Sequence, residues 1–216
     1  MSRYLILHKP YGVLTQFTDA EGRPTLADYV DVPGVYAAGR LDMNSEGLLL
    51  LTDDGEVLHR VTHPRWKLPK VYLVQVEGVP DEEALRKLRE GVMIKGKKTA
   101  RAQVELLPQE PDLPPREVRQ YHPTPWLRIV LREGRKRQVR RMTAAVGHPT
   151  LRLVRVAIGP LKLGNLAPGE WRDLTAGERR ELLRALELPP VEARKKQGKP
   201  RPPSRNRQGR RRKPRR

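Results

Sequence analysis

Cysteine is absent from the chain. That excludes disulfide frameworks, thiolate nucleophiles and cysteine-ligated zinc or iron–sulfur centres, and it leaves nothing to favour an oxidising compartment. No apolar run is long enough to cross a bilayer, and the opening "MSRYLILHKPYG" lacks the long apolar region and cleavage site of a signal peptide. The expectation is therefore a cytoplasmic protein with no membrane partner. No Walker loop, dinucleotide-binding glycine fingerprint or GxSxG elbow occurs, so nucleotide hydrolysis, redox chemistry and serine hydrolysis have no support, and no cofactor is expected. With three asparagines and abundant arginine and proline the composition suits a thermophile, although genomic bias would produce the same pattern.

What is present in excess is positive charge. Against 25 acidic residues stand 44 lysines and arginines, a net charge of +19, which points to a polyanionic partner and first of all to nucleic acid. From Pro189 to Arg216 there are thirteen basic residues and one acid, so twelve net charges lie there and seven elsewhere. This terminal stretch, 189–216, has almost nothing apolar to bury and is expected to be a disordered basic tail; residues 1–188 form the folded body. A chain of 216 residues with 37% hydrophobic content has room for one sizeable core or two small ones.

The pattern of the body mixes strands and helices without a regular βαβ repeat. "RYLILHK" reads as a strand ending at Lys9-Pro10-Tyr11-Gly12, a turn signal. "GLLLLTDDG" is a buried strand meeting a turn, after which Asp53 or Asp54 caps a short helix that Pro64 stops. "KVYLVQV" alternates, with Tyr72, Val74 and Val76 on one face. Asp81 caps "EEALRKLREG", and Gly91 ends it. "VMIKGKKTARAQVELLP" suggests a hairpin or short meander, and six prolines in the eighteen residues from Pro108 to Pro125 forbid regular structure. A strand, "WLRIVLREG", leads into a helix whose buried stripe is Val139, Met142 and Val146, with Arg137, Arg140 and Arg141 at its edges. "HPTLRLVRVAIGPLKL" returns to strand, and Thr175 caps a last helix. The sum is an α+β fold on a largely antiparallel sheet.

Asp42, in "GRLDMNSEGLLLL", stands between an arginine and a buried strand. An aspartate there ordinarily caps a turn, but basic neighbours and partial desolvation would also hold it ionised, as a nucleophile or base requires. Tyr72 on its strand reads first as core. Of the arginines in "EGRKRQVRRM", Arg135, Lys136 and Arg141 suit a solvated face or phosphate contacts, while Arg140 or Arg137 is placed to turn inward towards a carboxylate. His59 and His63 are four apart, but no glutamate lies between them and a proline follows, so no metal site is expected.

Taken in order, "HKPYGVLTQ", "AAGRLDMNSEGLLLLTDDG", "KVYLVQVEG", "EGRKRQVRRMTAAVGHPTLRLVRVAIGP" and "LAPGEWRDL" resemble the ribosomal RNA pseudouridine synthases of the RsuA family over roughly residues 3 to 175. The resemblance is greatest to the large-subunit branch, RluE, through "VYAAGRLD", "GRPTLADYV" and the Pro-rich insert from Pro111 to Pro125. It implies the pseudouridine synthase fold, with two lobes, flanking helices and a central active-site cleft. It further implies isomerisation of a uridine in large-subunit (23S) rRNA, without cofactor or metal, by a chain without the N-terminal S4-like domain of the wider family. Asp42 matches the family's catalytic aspartate, Tyr72 its active-site tyrosine, and Arg140 the basic residue paired with the aspartate. Arg40, Lys70, Arg135, Arg137 and Arg141 are assigned to RNA contacts as a group. A monomer is expected. Two alternatives remain open at this level: the same chemistry on another RNA, and a non-catalytic RNA-binding or ribosome-assembly protein.

Overall fold

The computed structural model describes residues 2–66, 68–118 and 123–190. Eleven strands and four α-helices follow one another along these segments. In chain order they are β1 (Tyr4–Lys9), β2 (Tyr36–Ala37), β3 (Glu46–Thr52), α1 (Gly55–Thr62), β4 (Lys70–Val76), α2 (Glu82–Glu90), β5 (Met93–Ile94) and β6 (Lys97–Lys98). There follow β7 (Gln103–Leu106), β8 (Trp126–Leu131), α3 (Gln138–Ala145), β9 (Thr150–Ile158), β10 (Leu161–Lys162), β11 (Trp171–Asp173) and α4 (Ala176–Ala185). The basic tail expected at 189–216 lies almost wholly outside the described residues.

One nine-stranded sheet runs through the molecule in the order β11-β1-β3-β9-β4-β8-β7, with β2 added to β3 and β10 to β9. All of its pairings are antiparallel except β3 with β9, which is parallel and brief: Glu46 faces Val154, and Gly47 faces Arg155. That short junction joins the two halves of the sheet. A separate hairpin, β5 with β6, lies beside it.

Local chemistry accounts for the elements. Every residue of β3 is buried, as expected for a central strand covered on both faces, which reads as a continuous apolar run. Asp54 caps α1 through Glu56 and Val57 N–H; Asp81 caps α2 through Ala84 N–H; Thr175 and Glu178 form a reciprocal capping box on α4. Gly91 ends α2 at φ +95°, where an added Cβ would lie 2.3 Å from the Thr99 carbonyl oxygen. Only Arg137, which opens α3, has no side-chain cap, and it adopts φ 55°.

Residues opposed across a ladder project from the same face. On one face, α1 and α4 bring Val57, Val61, Leu182 and Leu183 against Ile6, Leu48, Leu50, Val154 and Ile158. The other face carries two separate apolar fields. Leu26, Val30 and Val35 from the segment after β1 cover Leu5, Leu7, Leu49 and Leu51, while α2 and α3 cover Val74, Val76, Leu127, Ile129 and Leu153. The two-lobed expectation thus holds for the covering layers; the sheet itself is continuous.

Candidate active site

Where the two fields meet, one row crosses four adjacent strands: Lys9 on β1, Gly47 on β3, Arg155 on β9 and Tyr72 on β4. Gly47 has φ +103°, and a Cβ there would lie 2.3 Å from the Arg155 carbonyl oxygen, so only glycine lets β9 approach β3 at this level. Arg155 is almost fully buried and donates from Nε to the Leu48 carbonyl at 2.8 Å. Burial depresses its proton affinity below the ordinary guanidinium value, against the opposing pull of the Tyr72 side chain. Lys9 Nζ donates to the carbonyls of Pro10 (2.6 Å), Val13 (2.7 Å) and Met43 (3.4 Å). Burial pulls Lys9 down to about 8, against the opposing pull of Glu46 and Asp42. Lys70, two residues before Tyr72, is likewise pulled to about 8 by burial, with Arg155 adding to the shift.

Asp42 sits just before β3 in a turn closed by Ser45 N–H donating to the Asp42 carbonyl at 2.9 Å. The approach to this turn is anchored, because Thr15 Oγ1 donates to the Leu41 carbonyl at 2.6 Å. The Asp42 side chain is 34% exposed, open enough for a substrate, and Arg137 Nη1 stands 3.8 Å from Oδ2. Arg137 also donates to Asn44 Oδ1 at 3.2 Å. Arg140, half-buried, donates instead to the carbonyls of Asn44 and Thr150 and thereby ties α3 to the turn and to β9. Asp42 acts on Arg140 only through its field, opposing the larger downward pulls of burial and Arg137.

The expected Asp42–Arg140 pair is therefore replaced in the structure by Asp42–Arg137. The reason is backbone geometry: Arg137 stands in the left-handed region ahead of the first helical turn, while two carbonyls take the donors of Arg140. Arg155 Nη2 and Arg140 Nε are inaccessible to solvent and have no hydrogen-bond partner among the described residues. Orphaned donors of this kind cost about 1–3 kcal/mol each and tend to persist where function uses them.

Beneath the turn, Glu46 is buried in a cluster with Arg152, whose Nε and Nη2 both reach the carboxylate at 3.0 Å, and with Arg116, whose Nε is 3.0 Å from Oε2. Arg116 comes from the Pro-rich stretch, in whose described residues no helix or strand is found.

The other expected RNA contacts divide. Arg40 is exposed, and Arg141 half-exposed, near the site on the flanks of the Asp42 turn and α3. Lys70 is half-buried with Nζ on the Leu68 carbonyl at 3.0 Å, two residues before Tyr72 on β4. Arg135 is occupied with the carbonyls of Ile94, Lys97 and Lys98 and clamps the β5–β6 hairpin to the start of α3. Lys9, Glu46, Arg116, Arg152 and Arg155 carried no assigned role in the sequence, although for all but Arg116 a charge embedded in or beside a buried apolar run was a legible signal.

A family model described as RNA pseudouridylate synthase matches residues 3–145, which contain Asp42, Tyr72 and Arg140. The chain belongs to the RNA pseudouridylate synthase family. Among this family's curated members, it is 53% identical over 177 residues to the ribosomal large subunit pseudouridine synthase E of Vibrio vulnificus (strain CMCP6), covering 80% of this chain and 75% of that one. It is 56% identical over 174 residues to the protein of the same name from Xanthomonas campestris pv. campestris, covering 78% of this chain and 93% of that one. A crystal structure titled pseudouridylate synthase superimposes with a TM-score of 0.72 at 33% identity, over 84% of this chain and 74% of that one. The α+β architecture expected from the sequence is that of this pseudouridylate synthase neighbour. Among the described residues, no helix is long and apolar enough to cross a membrane.

Proposed function

We propose that this chain converts one uridine of large-subunit (23S) ribosomal RNA to pseudouridine, with Asp42 acting on the sugar. The observation that carries the reading is a carboxylate, Asp42, held beside Arg137 in the turn whose Met43 carbonyl is bound by Lys9, the first residue of the row that ends on Tyr72. Family membership and the names of the Vibrio and Xanthomonas relatives support the reaction and the RNA.

The chemistry follows from the groups present. The target base must leave its stack, which costs a few kcal/mol. As the N1–C1′ bond breaks, its electron pair stays on N1, and an Asp42 oxygen forms a bond to C1′. This is the role a carboxylate fills opposite a developing oxocarbenium ion. The uracil turns, and C5 attacks C1′ and displaces the carboxylate. The C5 hydrogen departs as a proton while N1 gains one, so atoms and electrons balance without a co-reactant. Tyr72, opposite Arg155 in the row, stacks on the uracil, and its hydroxyl is a donor available to the base. Arg137 keeps Asp42 ionised and aimed; Arg140 fixes the turn that presents it.

Arg40 and Arg141 are assigned to the RNA backbone, and Lys70 to the cleft wall facing the target nucleotide. Residues 1–188 form the catalytic unit, acting as a monomer in the cytoplasm, and 189–216 add non-specific affinity. Carbodiimide labelling with primer extension on ribosomal RNA from cells with and without the gene tests the reading. One reverse-transcription stop in 23S rRNA should vanish on deletion, and stops unchanged in both ribosomal RNAs would contradict it.

A further inference from the structure

Tyr11 is 51% exposed, among the largest apolar surfaces left open in the described residues, yet its turn is fastened to the turn of Asp42. It occupies the turn after β1. Gly12 N–H donates to the Met43 carbonyl at 2.8 Å, and the buried Lys9 ammonium binds carbonyls on both sides, Pro10 and Val13 in one turn and Met43 in the other. The turn of Tyr11 and the turn of Asp42 are thus one unit, clamped by a single cation.

One face of the Tyr11 ring is taken. The Arg116 guanidinium carbon lies 4.5 Å from the ring centroid, within the range of a cation–π contact. Arg116 is itself pinned to Glu46, so it is no freely rotating surface side chain. The bond from Gly12 to Met43 sets Tyr11 next to the turn of Asp42, the same turn that Arg140 holds through the Asn44 carbonyl. A ring with one face covered and half its surface open presents its other face.

We propose that the free face of Tyr11, backed by Arg116, is a stacking platform for an unpaired nucleobase next to the flipped uridine. The proposal rests on the RNA-modifying reading above. The Arg116 guanidinium is held between the Tyr11 ring and Glu46, which leaves the open ring face as the element that recognises a partner. A π-face is the complementary one, and since every base has such a face, the platform tolerates any of the four. It favours single-stranded over paired RNA and holds the neighbouring nucleotide while the target is turned out.

The experiment uses the full chain and a short oligouridylate carrying 2-aminopurine, whose fluorescence is quenched by stacking. Wild type, Tyr11→Phe and Tyr11→Trp should all quench. Tyr11→Leu should lose the quench and bind about ten- to hundred-fold more weakly. The slope of log affinity against log salt should stay the same, because no phosphate contact is removed. Quenching retained in Tyr11→Leu, or a slope reduced by about one, would overturn the platform. A second measurement needs no variant: abasic residues placed one at a time in the oligomer should cost wild-type affinity most at one position, and equal cost everywhere contradicts the proposal. Pseudouridine formation is read separately, so an inactive wild-type protein would strike at the reaction and lost quenching at the platform.

Discussion

At the scale of single residues, the third and sixth residues of "RKRQVRRM", both arginines, divide one task. Arg137 faces the carboxylate, and Arg140 holds the turn that carries it. Arg137→Met should lower turnover yet change folding stability by no more than about 1 kcal/mol, since the pair is half-exposed. Arg140→Met should cost about 1.5–3 kcal/mol in urea denaturation, because carbonyls of Asn44 and Thr150 lose a charged donor. Lys9 and Lys70 give a second expectation. Their folded pKa values of about 8 lie below the ordinary lysine value of about 10.4, so between these limits the unfolded chain binds more protons. Their contribution to stability therefore rises with pH across that window and is at its least below 8. Urea midpoints measured from pH 7 to 10 should show a shallower rise in Lys70→Met than in wild type. That Asp42 stands in a turn ahead of a buried strand was readable, because the turn and β3 lie within one short segment. The choice between Arg137 and Arg140 was not, because a left-handed residue and two carbonyls from distant segments decide it.

At the scale of elements, the helix caps Asp54, Asp81 and Thr175 were readable because capping is settled within four residues. The β5–β6 hairpin and the strands β4, β8 and β9 were readable from period and turn residues. The edge strand β11 and the parallel junction of β3 with β9 were not, since nothing local to "EWRDL" or "SEGL" states which strand it will meet. That junction rests on Gly47 and on the Glu46 cluster below it. Glu46→Gln leaves the buried Arg152 without its counter-charge and frees the half-buried Arg116, and should cost about 3–5 kcal/mol. Guanidinium denaturation reads the loss, and a change below about 1 kcal/mol would mean that the cluster contributes little to the junction. Arg135 makes the same point in reverse. It reads as a phosphate contact in its own segment, but carbonyls some forty residues earlier take its donors.

At the scale of the whole molecule, positive charge divides between a body with seven net charges and a terminal segment with twelve. Removing residues 189–216 should flatten the dependence of RNA affinity on salt while single-turnover isomerisation at saturating protein continues, because none of the residues assigned to the cleft lies there. Filter binding across a salt series measures this; an unchanged slope would mean that the segment does not touch RNA. The body's own contribution to RNA affinity rests on fewer residues than the arginine count suggests, since Arg135, Arg152 and Arg155 are committed to internal partners.

The account depends most on one carboxylate acting covalently or electrostatically at the sugar, and a single substitution isolates it. Asp42→Asn keeps the shape of the side chain and removes its charge. Pseudouridine formation by this variant on 23S rRNA should fall below detection, with RNA affinity within a few-fold of wild type. Turnover at the wild-type rate would contradict the assignment of Asp42, and with it the mechanism built on the row from Lys9 to Tyr72.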